Sequence, residues 1–260
     1  MSALNALISK FKRVIYSLLF IYLAVGVFLY IFQRSFIYFP VGNVKDHLLV
    51  DTFEIEDHKI LASVLNRGNN KAILYFGGNA EDVDYNVEAF SEIFPKYTIY
   101  LVKYRGYGGS SGEPSEQALY SDAIHIYDQI SKRHENVSVI GRSLGSSVAT
   151  YVASKKNVHK LALVTPFDSI ESIAQSKYPI YPMQILLKDK HDSLSRAGDI
   201  SADTLVLVAE MDTVVELPHT KRLMEEISSK MEYSVIADSG HNDISAYPEY
   251  KEKLAIFFNN

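Results

Sequence analysis

Residues 14–32 read VIYSLLFIYLAVGVFLYIF, without a single charge. About 20 apolar residues in a helix cross a hydrocarbon core, so this stretch predicts a transmembrane anchor. The alternative is a cleaved signal peptide. That would carry an apolar run of roughly 7–15 residues followed by a small-residue cleavage site, and this run is longer with no A-x-A after it. Lys10, Lys12 and Arg13 precede the stretch, while Arg34 and Lys45 follow it. The positive-inside rule keeps the more basic flank cytoplasmic. The expected layout is single-pass: a short cytoplasmic N-terminus (1–13), the anchor (14–32), a linker (33–52) and a folded domain (53–260). The domain would lie on the periplasmic or lumenal side of a bacterial inner membrane or a eukaryotic endomembrane.

Beyond the anchor the pattern changes period. TFEIE and ILASVLN are short strand candidates around a turn at EDHK. KAILYF, YTIYLV, NVSVIG, KLALVT, TLVLVA and YSVIA follow, mostly continuous apolar runs, as expected of strands buried on both faces. Helical stretches separate them at 82–94, 115–133, 144–154, 216–229 and 245–258. This alternation implies an α/β fold, a mainly parallel sheet with helices on both faces. Residues 166–202 break the pattern and contain YPIYPMQILL. They read as a short cap insert with room for an acyl chain, or as simple packing over the sheet.

Composition narrows the function classes. The chain has 260 residues, 47% of them hydrophobic, enough for one full core. A formal net charge of −5 gives no electrostatic reason to expect nucleic acid as a partner. The absence of cysteine excludes disulfides, thiolate nucleophiles and cysteine metal sites.

The candidate chemistry centres on GRSLG, residues 141–145, between a strand and a helix. G-x-S-x-G places a serine on a tight strand-to-helix turn that pushes its hydroxyl outward. GGSSG at 108–112 matches the same pattern but lies deep in a loop, so Ser143 is the candidate nucleophile and Ser110 a turn residue. A serine needs a base. Of the eight histidines (His47, His58, His125, His134, His159, His191, His219 and His241) only His241 directly follows the last strand, at the sheet edge where Ser143 emerges. Asp212 has the better reach as the orienting acid. Asp168 and Glu210 remain alternatives. The oxyanion donors expected are the backbone N–H groups of Leu144 and of Asn79, in the loop GGNAE.

Together these segments resemble the α/β-hydrolase superfamily, in particular its membrane-anchored abhydrolase-domain proteins. QRSFIYFP resembles the segment after the family's anchor, GGNAE its H-G-N-A-G loop, YRGYGGSSGEPSE its D-Y-R-G-Y-G-x-S-x-G-x-P-S-E loop, and GRSLGS its nucleophile elbow. TPFDSI, LLKDKHDS, AEMDTVV and SGHND match later family segments in order. Three positions depart: Gly77 stands for His, Glu81 for Gly, and Lys103 for Asp. A carboxylate at an oxyanion would oppose the developing charge, so Glu81 is expected to turn outward. The resemblance implies a serine hydrolase acting on ester or thioester bonds, without metal or organic cofactor, on a small acyl or lipid-like substrate or an acylated protein. The rival readings are a catalytically silent binding or scaffold protein and a serine peptidase of the same fold.

Overall fold

The computed structural model describes residues 2–43 and 48–259. The apolar N-terminus forms α1 (Ser2–Ile37), 36 residues and, at ~1.5 Å per residue, about 54 Å long. Its segment Leu4–Ile37 is long and apolar enough to cross a membrane, and none of its most apolar window is buried against the rest of the chain. The helix runs past the expected anchor at both ends, so residues 33–37 are helix rather than linker. The reason is tertiary: Gln33, Ile37 and the following Tyr38 are buried against the domain. Lys45 and His47 lie outside the described residues.

The sheet opens with a hairpin of β1 (Val50–Ile55) and β2 (His58–Leu65), reversed at Glu56, whose φ is 53°. β3 (Lys71–Phe76) follows, then a 3-10 turn over Val83–Asn86 and α2 (Val87–Ile93). The expected helix from residue 82 therefore starts as a tighter turn. Asp82 causes this by accepting the Asp84 N–H with its side chain. Next come β4 (Tyr97–Val102), α3 (Glu116–Ile130), β5 (Asn136–Arg142), α4 (Leu144–Lys155) and β6 (Lys160–Val164). Ser115 caps α3 by accepting the Ala118 N–H, which fixes its start. The cap insert holds three short helices: α5 (Ile170–Lys177), α6 (Met183–Leu186) and α7 (Leu194–Ala197). β7 (Asp203–Ala209), α8 (Leu217–Glu226), β8 (Met231–Ile236) and α9 (Pro248–Asn259) complete the chain. α9 begins at Pro248, not at 245, because proline fits the first helical position but not a helix interior.

The eight strands run in the order β1-β2-β4-β3-β5-β6-β7-β8. β2 pairs antiparallel with β1 and β4, and the other pairings are parallel. One core layer packs α3, α4, α7 and α8 on the sheet, and the other packs α2 and α9 on the opposite face. The parallel strands all end at one edge. The segments after β3, β5, β6, β7 and β8 therefore meet there.

Candidate active site

Ser143 joins β5 to α4 with φ 49° and ψ −116°. A non-glycine residue held there carries roughly 1–3 kcal/mol of strain, tolerated only where neighbours fix the backbone. The two glycines of the motif do so. A Cβ on Gly141 would strike the Gly145 carbonyl and Ala149, and one on Gly145 would strike the Phe76 and Gly77 carbonyls at the end of β3. The elbow thus lies flush against the sheet, and the Ser143 N–H donates to the Val164 carbonyl at 2.9 Å.

The Ser143 side chain does not cap α4. Its Oγ lies 2.8 Å from His241 Nε2, and His241 Nδ1 lies 2.7 Å from Asp212 Oδ2. With a carboxylate on Nδ1, the imidazole proton sits there and Nε2 faces the hydroxyl as an acceptor. Asp212 Oδ1 accepts the N–H groups of Val214 and Val215 at 2.9 and 2.8 Å, which locks the carboxylate in place. The three residues come from the loops after β5, β7 and β8.

The rival residues are otherwise engaged. Asp168 is buried and binds His219 Nδ1 at 2.9 Å and Arg222 Nε at 2.7 Å. Glu210 Oε2 accepts the Asp238 N–H. Ser110 Oγ donates to the Lys103 carbonyl and accepts the Leu61 N–H, a fastening for its loop. His191 is fully buried between Tyr38 and Ser147, and burial drives its pKa down to about 3, so it stays neutral. Among the described residues, no group of three or more His, Asp or Glu gathers as metal ligands.

A cleft of about 700 Å³ opens over Ser143. Gly78, Asn79, Leu144 and His241 share it with Phe36 and Ile37 of α1 and with Ile170, Ile173 and Lys177 of α5. A separate cavity of about 740 Å³, between Arg34, Glu116, Tyr120 and Arg196, contains none of the three hydrogen-bonded residues. Leu144 is the first residue of α4, where N–H groups lack an intrahelical acceptor. The Asn79 side chain points away from this task, its Oδ1 accepting the Phe39 N–H and the Tyr107 hydroxyl.

The outward turn expected of Glu81 is not found. Its side chain is 11% exposed and folds back under its own loop. Oε2 accepts the Gly78 N–H at 2.6 Å, and Oε1 accepts the Tyr75 hydroxyl and the Asn86 amide at 2.6 and 2.8 Å. Arg142, whose side chain is 12% exposed, stands 3.5 Å away and supplies the counter-charge. Arg142 Nη2 also donates to the carbonyls of His241 and Asn242. This residue had no role in the sequence reading. Its only signal was its place as the x before the serine, on the strand end that faces two other loops.

No family model matches the chain. An uncharacterized protein of Mycobacterium tuberculosis is 31% identical over 238 residues, covering 85% of each chain. Alpha/beta hydrolase domain-containing protein 17C of Xenopus tropicalis is 25% identical over 201 residues, covering 74% of this chain and 63% of that protein. The chain belongs to the α/β-hydrolase superfamily. It spans about three-fifths of the length of the 17C proteins it matches. The fold agrees: an esterase from Pyrococcus furiosus superposes with a TM-score of 0.64 at 17% identity, over 85% of this chain and 95% of that one. An esterase from Exiguobacterium antarcticum gives 0.64 at 18% identity, over 82% and 100%.

The departures of this α/β-hydrolase from its family's motifs are mutually accommodated. A Cβ on Gly77 would lie 2.6 Å from a Val83 methyl and 3.4 Å from the Glu81 carboxylate, so a histidine there would force Val83 to shift. Lys103 is buried, and its Nζ pairs with Asp84 at 2.9 Å. A buried ammonium without a partner would cost several kcal/mol, and Asp84 sits in the turn that follows the Glu81 loop.

Proposed function

We propose that this α/β-hydrolase is a membrane-anchored serine hydrolase that cleaves ester or thioester acyl bonds. The observation that carries the reading is the unbroken hydrogen-bonded chain from Ser143 through His241 to Asp212 at the floor of an open cleft. His241 Nε2 takes the Ser143 proton as Oγ attacks the acyl carbonyl, and Asp212 stabilises the imidazolium. The N–H groups of Leu144 and Asn79 receive the oxyanion, helped by the positive end of α4. His241 then returns the proton to the leaving group and next activates water to release the acyl chain. α1 anchors the enzyme, with Lys10, Lys12 and Arg13 on the cytoplasmic side and the sheet on the other.

A fluorophosphonate probe tests this directly. Wild-type protein should be labelled and Ser143→Ala should not, with a loss of turnover on the order of 10⁶. Labelling of Ser143→Ala would overturn the assignment. A second reading, a silent binding protein, draws on the Glu81 carboxylate beside the cleft. It requires that the wild type itself resist the probe.

A further inference from the structure

Lys177 and Lys188 bracket ten uncharged residues, YPIYPMQILL. This stretch does not return to the sheet. It lies along α1, deep within the proposed membrane span. Tyr181 stacks on Tyr22 with ring centres 4.7 Å apart and planes 2° from parallel. The Tyr22 hydroxyl donates to the Ile180 carbonyl at 2.9 Å, and the Tyr181 hydroxyl to the Tyr22 carbonyl at 3.2 Å. Gly26 lies beneath this ring, where an added Cβ would make only ordinary van der Waals contact with it at 3.5 Å. Farther along, the Gln33 amide donates to the Leu186 carbonyl and accepts the Lys188 N–H. Arg34 pairs with Asp189 at 2.9 Å.

The spacing sets a depth. Tyr22 precedes Arg34 by twelve residues, about 18 Å along a helix. If Arg34 marks the boundary of a ~30 Å hydrocarbon core, the cap tip reaches past its midpoint. The tip is built for that solvent. Ile180 is 70% exposed and Ile185 76%, with Tyr178 beside them at 53%. Lipid offers no water for backbone groups, and here they are largely satisfied within the protein. Pro179 and Pro182 bring no N–H, while the N–H groups of Tyr178, Tyr181, Ile185 and Leu187 find carbonyls in the cap itself. The Met183 N–H donates to Gln175.

We propose that residues 178–187 are a second membrane-immersed element, seated against α1 and reaching from the outer leaflet to the bilayer midplane, so that the cleft over Ser143 opens on the bilayer and receives an acyl ester lipid from it. The proposal rests on the membrane-anchored hydrolase reading and adds the route and the class of substrate. The same α1 residues that leave the span, Phe36 and Ile37, line the cleft together with Ile170 and Ile173 of the cap. A lipid chain moving along α1 passes directly into that cleft. Lys177 also lines the cleft, where its long stem lets the ammonium reach headgroup level.

The chain contains no tryptophan, so single tryptophans report cleanly. The full-length protein is reconstituted in phosphatidylcholine–phosphatidylglycerol vesicles with Leu19→Trp, Ile180→Trp or Tyr233→Trp. Ile180→Trp and Leu19→Trp should be quenched at least about twofold by chain-brominated phosphatidylcholine, and Tyr233→Trp by aqueous acrylamide only. Acrylamide quenching of Ile180→Trp with lipid quenching of Leu19→Trp would overturn the cap insertion alone. Loss of lipid quenching at both would overturn the anchor as well. For the substrate route, Ile180→Asp combined with Ile185→Asp should lower kcat/KM at least tenfold on a long-chain ester embedded in vesicles. Activity on a water-soluble short-chain ester should stay within about twofold. Equal loss on both substrates, or loss on neither, would overturn the route.

Discussion

Arg142 Nη1 and Glu81 Oε2 face each other at 3.5 Å, one residue before Ser143 and three after Gly78. Through Arg142 Nη2 the contact extends to the backbone carrying His241. Three loops that hold the serine, the histidine and the expected oxyanion donors are thus tied by one ion pair.

Removing either member should loosen all three. Glu81→Ala and Arg142→Ala are each expected to cost about 2 kcal/mol of stability, because the remaining, largely buried charge loses its counter-charge while keeping its hydrogen bonds, and to lower turnover roughly tenfold. The double variant should lose much less than the sum, since the two positions act through one contact. Thermal unfolding and ester turnover on the four proteins check this, and strict additivity would show the pair to be uncoupled.

Asp212 and Asp168 are expected to separate turnover from stability. Asp212→Asn should drop turnover by roughly 10⁴, because the amide favours the wrong tautomer of His241. Asp168→Asn should leave turnover within a few-fold but cost about 2–3 kcal/mol, as it strips a buried partner from His219 and Arg222. Steady-state kinetics with urea unfolding on both variants distinguishes the two roles.

Ser110→Ala should retain full probe labelling while losing about 1–2 kcal/mol, because the Leu61 N–H and Lys103 carbonyl lose their shared partner. A loss of labelling without loss of stability would move catalytic weight to the second G-x-S-x-G.

His191 makes the fold sensitive to acid. Its folded pKa is about 3, against 6.5 in the unfolded chain. Between those values the unfolded state binds the extra proton, so the contribution is fully present above pH 6.5 and is lost progressively as pH falls toward 3. From pH 6.5 to 5 the loss is about 2 kcal/mol. His191→Gln should unfold with a correspondingly flatter pH dependence, measured by urea midpoints at pH 7 and 5.

The membrane orientation has its own test. A C-terminal tag should be digested by protease added to intact cells or spheroplasts, since Lys10, Lys12 and Arg13 outweigh Arg34 across the anchor. Protection until the bilayer is broken would place the domain in the cytoplasm.

What the sequence determined by itself follows from periodicity and chain order. Continuous apolar runs such as KAILYF and TLVLVA, short and rich in β-formers, pointed to strands covered on both faces, and they form β3 and β7. The elbow glycines at 141 and 145, the uncharged N-terminal stretch and the candidate serine and histidine at strand ends on one sheet edge needed no coordinates. Tertiary structure decided whatever depends on which distant side chain answers a local demand. Glu81 turned inward because Arg142, Tyr75 and Asn86 meet it there, partners up to 61 positions apart in sequence that no spacing rule joins. α1 ran on past the apolar stretch because Gln33 and Arg34 bind the cap more than 150 residues away. Asp168, legible as an acid near the right edge, is held by His219 and Arg222, partners that only the folded chain brings to it. A pattern along the chain fixes which face is buried. A charge or an amide is settled by the single partner it finds, and that partner is brought near only when the sheet closes.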